Sequence, residues 1–414
     1  MSFIGPLLIA WLLLLSLIQI VILWKYLQTL RCATQPPDGL NDYPPAVAIL
    51  CLRGADPFLS DCVRRLLDSS YPQLTIRIVV DSADDPSLSV VRTILETRND
   101  SRAELMILKN RLPHCSGKVS GLLQATESLP QDCQIVAWID GDSLLHRTAL
   151  QELADGLRDP AIGAVSGNRW YLPPEASLSG LTRMLWNGFA VPAMNIVGVL
   201  WGGCMAARAD DFRNPELREL LAASFIEDST VASFVRASGR RTRLIASAIL
   251  LNRESISLKH YYQFATRQLF TVRIDNSRWL WILLHMFPLN LSLLLSLVPM
   301  CMPWLPYWGG ITAAYFVLLS TMVAAIPVGH QNVKRILNAR GENVPAISTA
   351  QWALLPVALM MPNQLNLAST INTFFIRKLT WRGITYQFGR NPKCTIVNVK
   401  PMTQPEPSMM NSVV

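Results

Sequence analysis

Residues Phe3–Trp24 form a single run without a charged side chain, closed by Lys25. About 20 apolar residues suffice to cross the hydrocarbon core of a bilayer, where a helix satisfies its own backbone. A cleavable export signal would open on basic residues, carry a shorter apolar stretch and end on small residues. This run does neither of the first two, so residues 1–25 read as a retained transmembrane anchor. Two more spans are expected near Leu280–Pro303 and Tyr307–Val328. A further apolar stretch, Trp352–Ile376, is broken by Pro356 and by Pro362-Asn363-Gln364.

Lys and Arg near the ends of spans set orientation. Lys25 and Arg31 follow the first span, Arg273 and Arg278 precede the second, and Lys334, Arg335 and Arg340 follow the third. All of them put the middle of the chain in the cytoplasm and the N-terminus outside. Arg377, Lys378, Arg382 and Arg390 want the same side, so 352–376 is expected to re-enter the membrane rather than cross it. The chain is thus expected to be an integral, multi-pass membrane protein. Its 414 residues are 50% hydrophobic and only 16% charged, where soluble domains carry about 25% charge. The net charge of +8 follows from the flanking cations, and no nucleic-acid partner is expected. Eight cysteines and five histidines show no CxxC or CxxH spacing, which excludes a zinc module and a disulfide framework. The end of the chain, 400–414, is rich in Pro, Ser, Met and Asn and reads as disordered.

Between 44 and 278 the pattern changes. Ala46–Leu52, Thr75–Val80, Glu104–Leu108 and Gln134–Ile139 are strand-like runs, with helical patterns near Asp61–Ser69, Leu88–Thr97 and Lys118–Ser128. Such alternation argues an α/β domain with a parallel sheet covered on both faces. Ligands of such sheets sit beyond the carboxyl ends of the strands. Those ends are polar here: Arg53-Gly54-Ala55-Asp56, Asp81-Ser82-Ala83-Asp84-Asp85 and Asp140-Gly141-Asp142.

Asp140 and Asp142 are two apart on a chain leaving a strand, so both can address one point. Paired hard oxygens suit Mg2+ or Mn2+ completed by substrate phosphates; an Asp-Gly turn is the bland alternative. Asp81 and Asp84 could hold a base or ribose, or form a solvated acidic turn. Lys118 could meet a phosphate, although the absent GxxxxGK[ST] pattern excludes a P-loop; a lysine that merely opens a helix is the alternative. Glu227 and Asp228 begin an amphipathic run and are either dipole partners or a general base. Arg267 could stabilise a departing diphosphate or serve as a flanking cation. Leu178–Leu200 suits an interfacial amphipathic element or a buried helix. Trp381-Arg382-Gly383-Ile384-Thr385-Tyr386 could lie at the headgroup level.

Taken in order, CLRGADP (51–57), VVDSADDP (79–86), SGKVSGL (116–122), IDGD (139–142), WGGCMAAR (201–208), FIED (225–228), QFATR (263–267) and WRGITY (381–386) resemble membrane-bound glycosyltransferases of family 2. The resemblance is to the ceramide glucosyltransferase-like branch, and it covers about Ala46 to Tyr386. It implies a GT-A (Rossmann-like) domain over 44–278, a membrane region of two to three helices over 279–376, and a cytoplasmic WRGxxY segment over 377–399. It further implies donor binding of a UDP-sugar by Arg53, Asp56, Asp81, Asp84, Lys118 and Asp140, and metal ligation by Asp142. Asp228 is implied as catalytic base with Arg267 assisting, and Trp201, Gly202, Gly203, Glu227 and Gln268 as the acceptor side. The implied reaction is inverting transfer of a sugar, glucose first, to a ceramide-like or other lipid hydroxyl at the cytoplasmic face. A processive polysaccharide synthase and a non-catalytic nucleotide-sugar-binding protein are the alternatives. The family's (Q/R)xxRW motif is missing: Arg267 opens RQLFT in one register and ends FATR before Gln268 in the other. With so few membrane segments, this argues against a polymer-extruding channel.

Overall fold

The near-continuous apolar strands need cover on both faces, and the chain supplies it. In this computed structural model, which describes residues 3–33, 35–37, 42–390 and 393–402, the anchor is α1 (Ile4–Cys32). There follow β1 (Ala46–Leu52), α2 (Leu59–Leu67), β2 (Leu74–Val80), α3 (Pro86–Arg98), β3 (Ala103–Ile107), α4 (Gly117–Ala125) and β4 (Ile135–Ile139). These strands fall within a residue of the sequence-predicted ones. Alternate residues of β1 feed two separate cores: Ala46, Ala48, Leu50 and Leu52 pack with α2, and Val47 and Ile49 pack with α4. A strand buried on both faces is apolar at every position.

The next elements are α5 (Ala149–Gly156), β5 (Ile162–Tyr171), α6 (Leu178–Val197), β6 (Cys204–Arg208), α7 (Ala209–Arg213), α8 (Pro215–Ala222), α9 (Glu227–Ala237) and β7 (Arg241–Asn252). One sheet of order β3-β2-β1-β4-β6-β5-β7 results. It is not wholly parallel, because β6 runs antiparallel to both β4 and β5. The reason is the path through α6. Cys204 starts β6 opposite Ile139, the last residue of β4, so the chain crosses the carboxyl edge of the sheet before running back.

The remainder comprises α10 (Leu258–Asp275), α11 (Trp279–Leu295), α12 (Leu297–Met300), α13 (Trp308–Asn338), α14 (Thr349–Thr373), β8 (Lys378–Trp381), β9 (Ile384–Phe388) and β10 (Cys394–Val399). Among the described residues three helical segments are long and apolar enough to cross a membrane: Ile4–Cys32, Trp279–Met300 and Trp308–Asn338. Stretch 352–376, expected to be broken, lies mostly in one continuous helix, α14, with Pro356 and Pro362 inside it. The first half of α6 is buried, which favours the buried alternative there: Arg183 pairs with Glu254 at 3.1 Å. Strands β8–β10 form a separate antiparallel sheet, held by Phe225 against Trp381, Tyr386 and Phe388. Of the expected disordered tail, 403–414 lies outside the described residues.

Arg340, just beyond α13, joins the helix bundle to the sheet domain. Its Nε donates to Glu152 Oε1 at 2.6 Å, Nη1 to the Ile336 carbonyl at 2.8 Å and Nη2 to the Ala33 carbonyl at 3.2 Å. Both side chains of the ion pair are almost wholly buried. Arg340→Met therefore leaves a buried carboxylate uncompensated, a loss of about 3–5 kcal/mol. Thermal unfolding in detergent should show a clear fall in midpoint, partly restored when Glu152→Met is added; an unchanged single variant would contradict this account.

Candidate active site

The carboxyl ends of β1, β2 and β4 converge on one cavity of about 890 Å3. Arg53 and Asp56 follow β1, Asp81 follows β2, and Asp140 and Asp142 follow β4, and all five line it. Lys118 from α4, Trp201, Gly202 and Gly203 before β6, Glu227 and Asp228 from α9, and Arg267 and Gln268 from α10 complete this wall. Asp84 does not line the cavity. It is exposed in the turn, while its neighbour Asp85 is buried and accepts from Gly54 N at 3.0 Å and Ser87 N at 2.9 Å. The expectation for Asp84 is corrected accordingly: Asp85 caps α3 and takes the inward place, but as a structural acceptor.

Each acid has a distinct partner. Asp81 is in ion-pair contact with Arg53 and accepts from Arg111 Nη2 at 2.6 Å. Asp56 accepts from Arg382 Nη2 at 2.6 Å, and Arg382 Nη1 donates to the Arg53 carbonyl at 2.6 Å. Arg53 in turn donates to the Arg382 carbonyl at 2.6 Å. Arg382 and Gly383 form the β8–β9 turn with φ of 48° and 73°, a conformation that costs an ordinary side chain energy and that these bonds hold in place. Arg382 therefore lines the cavity. Burial lifts the Asp56 carboxyl above its ordinary range against the pull of Arg382.

Lys118 Nζ lies 2.5 Å from Asp140 Oδ1, 2.6 Å from Glu227 Oε1 and 3.1 Å from the Gly202 carbonyl. Burial opposes its charge, but the two carboxylates outweigh that and hold its pKa above the lysine range. Lys118 thus bridges two acids of the cavity wall. Asp140 is half-buried; desolvation raises its pKa, yet Lys118 and then Arg169 hold its carboxyl below the usual range. Arg169, on β5, donates to Asp142 Oδ1 at 2.9 Å and to Tyr171 Oη at 3.1 Å. Its guanidinium also lies 4.6 Å from the centre of the Trp201 ring, a cation–π contact.

Asp228 stands apart. Its Oδ2 accepts from Gly202 N at 3.0 Å and its Oδ1 from Ser229 N. Burial, and then the charge of Glu227, push its pKa up to about 7, against Lys118 and the Gly202 N–H. A Cβ at position 202 would fall 2.4 Å from Glu227 Oε1, so any larger residue would displace that carboxylate. Arg267 lies 5.2 Å from the Trp381 ring centre and has no carboxylate or hydrogen-bond partner among the described residues. Burial, and then the charge of Arg382, lower its pKa to about 10, so it stays a cation.

No group of three or more His, Cys, Asp or Glu that could hold a metal occurs among the described residues. Asp140 and Asp142 nevertheless fit a hard divalent ion, because such ions bind through one or two carboxylates and substrate phosphates. Only Oδ1 of Asp142 is engaged by Arg169. Arg111, Arg169 and Arg382 were not foreseen as site residues. Arg169 interrupts an apolar strand, and that break in β5 was the signal available. From the acids the cavity continues between α6, α11, α13 and α14, where Met194, Ile282, Leu289 and Met322 line it.

The family described as Glycosyl transferase family 21 matches residues 8–394. No curated protein matches the chain. Among solved structures, a mannosyltransferase from Pyrobaculum calidifontis in complex with GDP-Man and Mn2+ is 18% identical with a TM-score of 0.49, over 89% of this chain and 98% of that one. Glucosyl-3-phosphoglycerate synthase from Mycobacterium tuberculosis, in complex with Mn2+, UDP and phosphoglyceric acid, is 14% identical with a TM-score of 0.36, over 55% of this chain and 76% of that one.

In infrared difference spectra taken across pH, a carboxyl C=O band absent from Asp228→Asn should titrate near about 7. Glu227→Gln removes a negative neighbour and moves the band to lower pH. Lys118→Met removes a positive one and moves it higher. Shifts of the same sign in both variants would contradict the assigned electrostatics.

Proposed function

The chain belongs to glycosyl transferase family 21, and we propose that it moves glucose from UDP-glucose to the hydroxyl of a ceramide-like membrane lipid, with inversion, at the cytoplasmic face. That it is a nucleotide-sugar glycosyltransferase of the GT-A type, with membrane-spanning helices, follows from the family. The finer reading is carried by one observation: the cavity that holds the acids runs on into the apolar helix bundle. A lipid can keep its tails there while its hydroxyl reaches Asp228.

In the proposed reaction Asp228 takes the proton of the acceptor hydroxyl. The oxygen forms its bond to the anomeric carbon from the face opposite the diphosphate, and the bond to the diphosphate oxygen breaks, so UDP leaves with the electron pair. A carboxyl poised near neutrality suits that proton transfer. Asp56, Asp81 and Arg53 lie at the first two strand ends and would hold the nucleoside. Asp142 with Asp140 would hold a divalent ion, which supplies charge neutralisation at the diphosphate when bound. Arg267, a cation without a carboxylate partner, adds positive charge on the cavity wall. Trp201, Gly202, Gly203, Glu227 and Gln268 would border the acceptor.

Purified enzyme given UDP-glucose and a lipid panel should yield one glycolipid by mass spectrometry. A polymer ladder would favour a polysaccharide synthase, and UDP-glucose binding without product a binding protein. Asp228→Asn should lower turnover by about a hundred- to ten-thousand-fold while UDP binding persists; full turnover would overturn the mechanism. The orientation has its own test. Cys32 at the end of α1 and Cys301 after α12 are the exposed cysteines, and they fall on opposite sides of the membrane in this reading. A membrane-impermeant maleimide applied to intact cells should label Cys301 and spare Cys32.

A further inference from the structure

The bundle end of the cavity is not purely apolar. Asn290 on α11 and Asn366 on α14 both line it and are only 3% and 8% exposed. Neither side chain has a hydrogen-bond partner among the described residues, and Asn366 Oδ1 is fully enclosed. Beside them, Gln19 of α1 and His285 of α11 also line the cavity and share a 3.1 Å contact between their Nε2 atoms. Gln19 stands six residues before Lys25 and His285 seven after Arg278, roughly 9–11 Å of helix inside the basic ends of their spans.

A bonded pair such as Gln19–His285 is explained as glue between helices. The two asparagines are not, because they bond to nothing. An amide left unpaired in an apolar surround costs several kcal/mol, and polar residues of this kind inside a membrane domain mark ligand paths. The chemistry of the missing partner follows from the amides. A side-chain amide carries N–H donors and a carbonyl acceptor; with Asn366 Oδ1 enclosed, Asn366 offers its N–H donors and Asn290 both kinds of group, and a hydroxyl can serve them. The lining from α1, α11, α13 and α14 contains no lysine or arginine, so an anionic group finds no counter-charge there.

We propose that Asn290 and Asn366 form a hydrogen-bonding subsite for a hydroxyl carried part-way along the hydrocarbon chain of the acceptor lipid. The inference rests on the lipid-acceptor reading above and narrows it: the preferred acceptor bears a mid-chain hydroxyl, not a plain saturated tail. The reacting hydroxyl at Asp228 and the chain hydroxyl at the asparagines would then fix both ends of the lipid in the cavity.

The test uses the full chain in nanodiscs and a set of ceramides that differ only in the acyl group, stearoyl against positional isomers of hydroxystearoyl. Competition binding is read by native mass spectrometry, and transfer from UDP-glucose is read on the same lipids. At least one hydroxystearoyl isomer should outcompete the stearoyl lipid by about tenfold, the worth of one buried hydrogen bond. Asn290→Leu and Asn366→Leu should each bring that ratio toward one. The readout is a ratio, so a general loss of affinity in a variant does not imitate it. Equal binding of all acyl forms by the wild type overturns the subsite, whatever the turnover, as does a preference that survives in both variants. Preferential binding without any sugar transfer supports the subsite and instead removes the transferase reading.

Discussion

The structure depends on the balance of charge at the carboxyl edge of one sheet. Five acids there have a cation in direct contact: Asp56 with Arg382, Asp81 with Arg53 and Arg111, Asp140 and Glu227 with Lys118, and Asp142 with Arg169. Asp228 has no cation in direct contact among the described residues, and Gly202 N and Ser229 N donate to it. In a buried setting that difference decides protonation, since a carboxylate without a counter-charge loses solvation and gains little in return. Among the described acids that line the cavity, the one without a cation in direct contact is the one poised to exchange a proton near neutral pH. On the opposite side of the ledger, Arg267 is a cation without an acid. An unpaired base and an unpaired cation on one cavity wall are what a reaction needs if it takes a proton at one atom and releases an anion at another.

Much of this wall was legible because its acids sit directly after apolar runs. β1 and β4 are recognisable from uninterrupted apolar residues and β2 from an apolar run broken by Thr75 and Arg77, and Asp56, Asp81, Asp140 and Asp142 follow them within a few positions. The cations were less legible. Arg111, Arg169 and Arg382 come from a loop, a strand with polar interruptions and a hairpin turn far along the chain, and only tertiary packing brings them to the acids. Asp84 and Asp85 illustrate the limit of spacing. Both follow the same strand, and which one turns inward depends on the cap of α3 and its bond to Gly54 N, which no periodicity encodes. The antiparallel β6 was hidden for a similar reason. CMAAR is short and mixed, and its direction follows from α6 crossing the edge of the sheet.

The helix bundle and the sheet are coupled through a few buried polar links. Arg340 ties the end of α13 to α5 and to the carbonyl at the end of α1. Thr266 of α10 bonds Ser369 of α14 at 3.0 Å. Gln351 at the start of α14 donates to the Pro173 carbonyl at 2.8 Å, just before α6. Such bonds fix register where apolar packing alone would allow sliding, because a buried polar group that loses its partner is costly. They matter to the cavity because α6, α10, α11 and α14 all line it: a shift of any one would move its bundle end relative to the acids.

The missing tryptophan of the (Q/R)xxRW pattern has a structural counterpart. In this chain the aromatic ring against Arg267 is Trp381, which arrives from β8 after the last helix. The same hairpin sends Arg382 to Asp56 and packs Tyr386 and Phe388 against Phe225, just before α9. One short sheet thus touches Asp56, Arg267 and the approach to the helix that carries Asp228. A ring supplied across space by a second element constrains the arginine as a ring supplied along the chain would. It also makes the position of that arginine depend on whether the hairpin is docked. The departure in sequence is therefore local to α10, while the fold still holds an arginine against an aromatic face in the cavity wall.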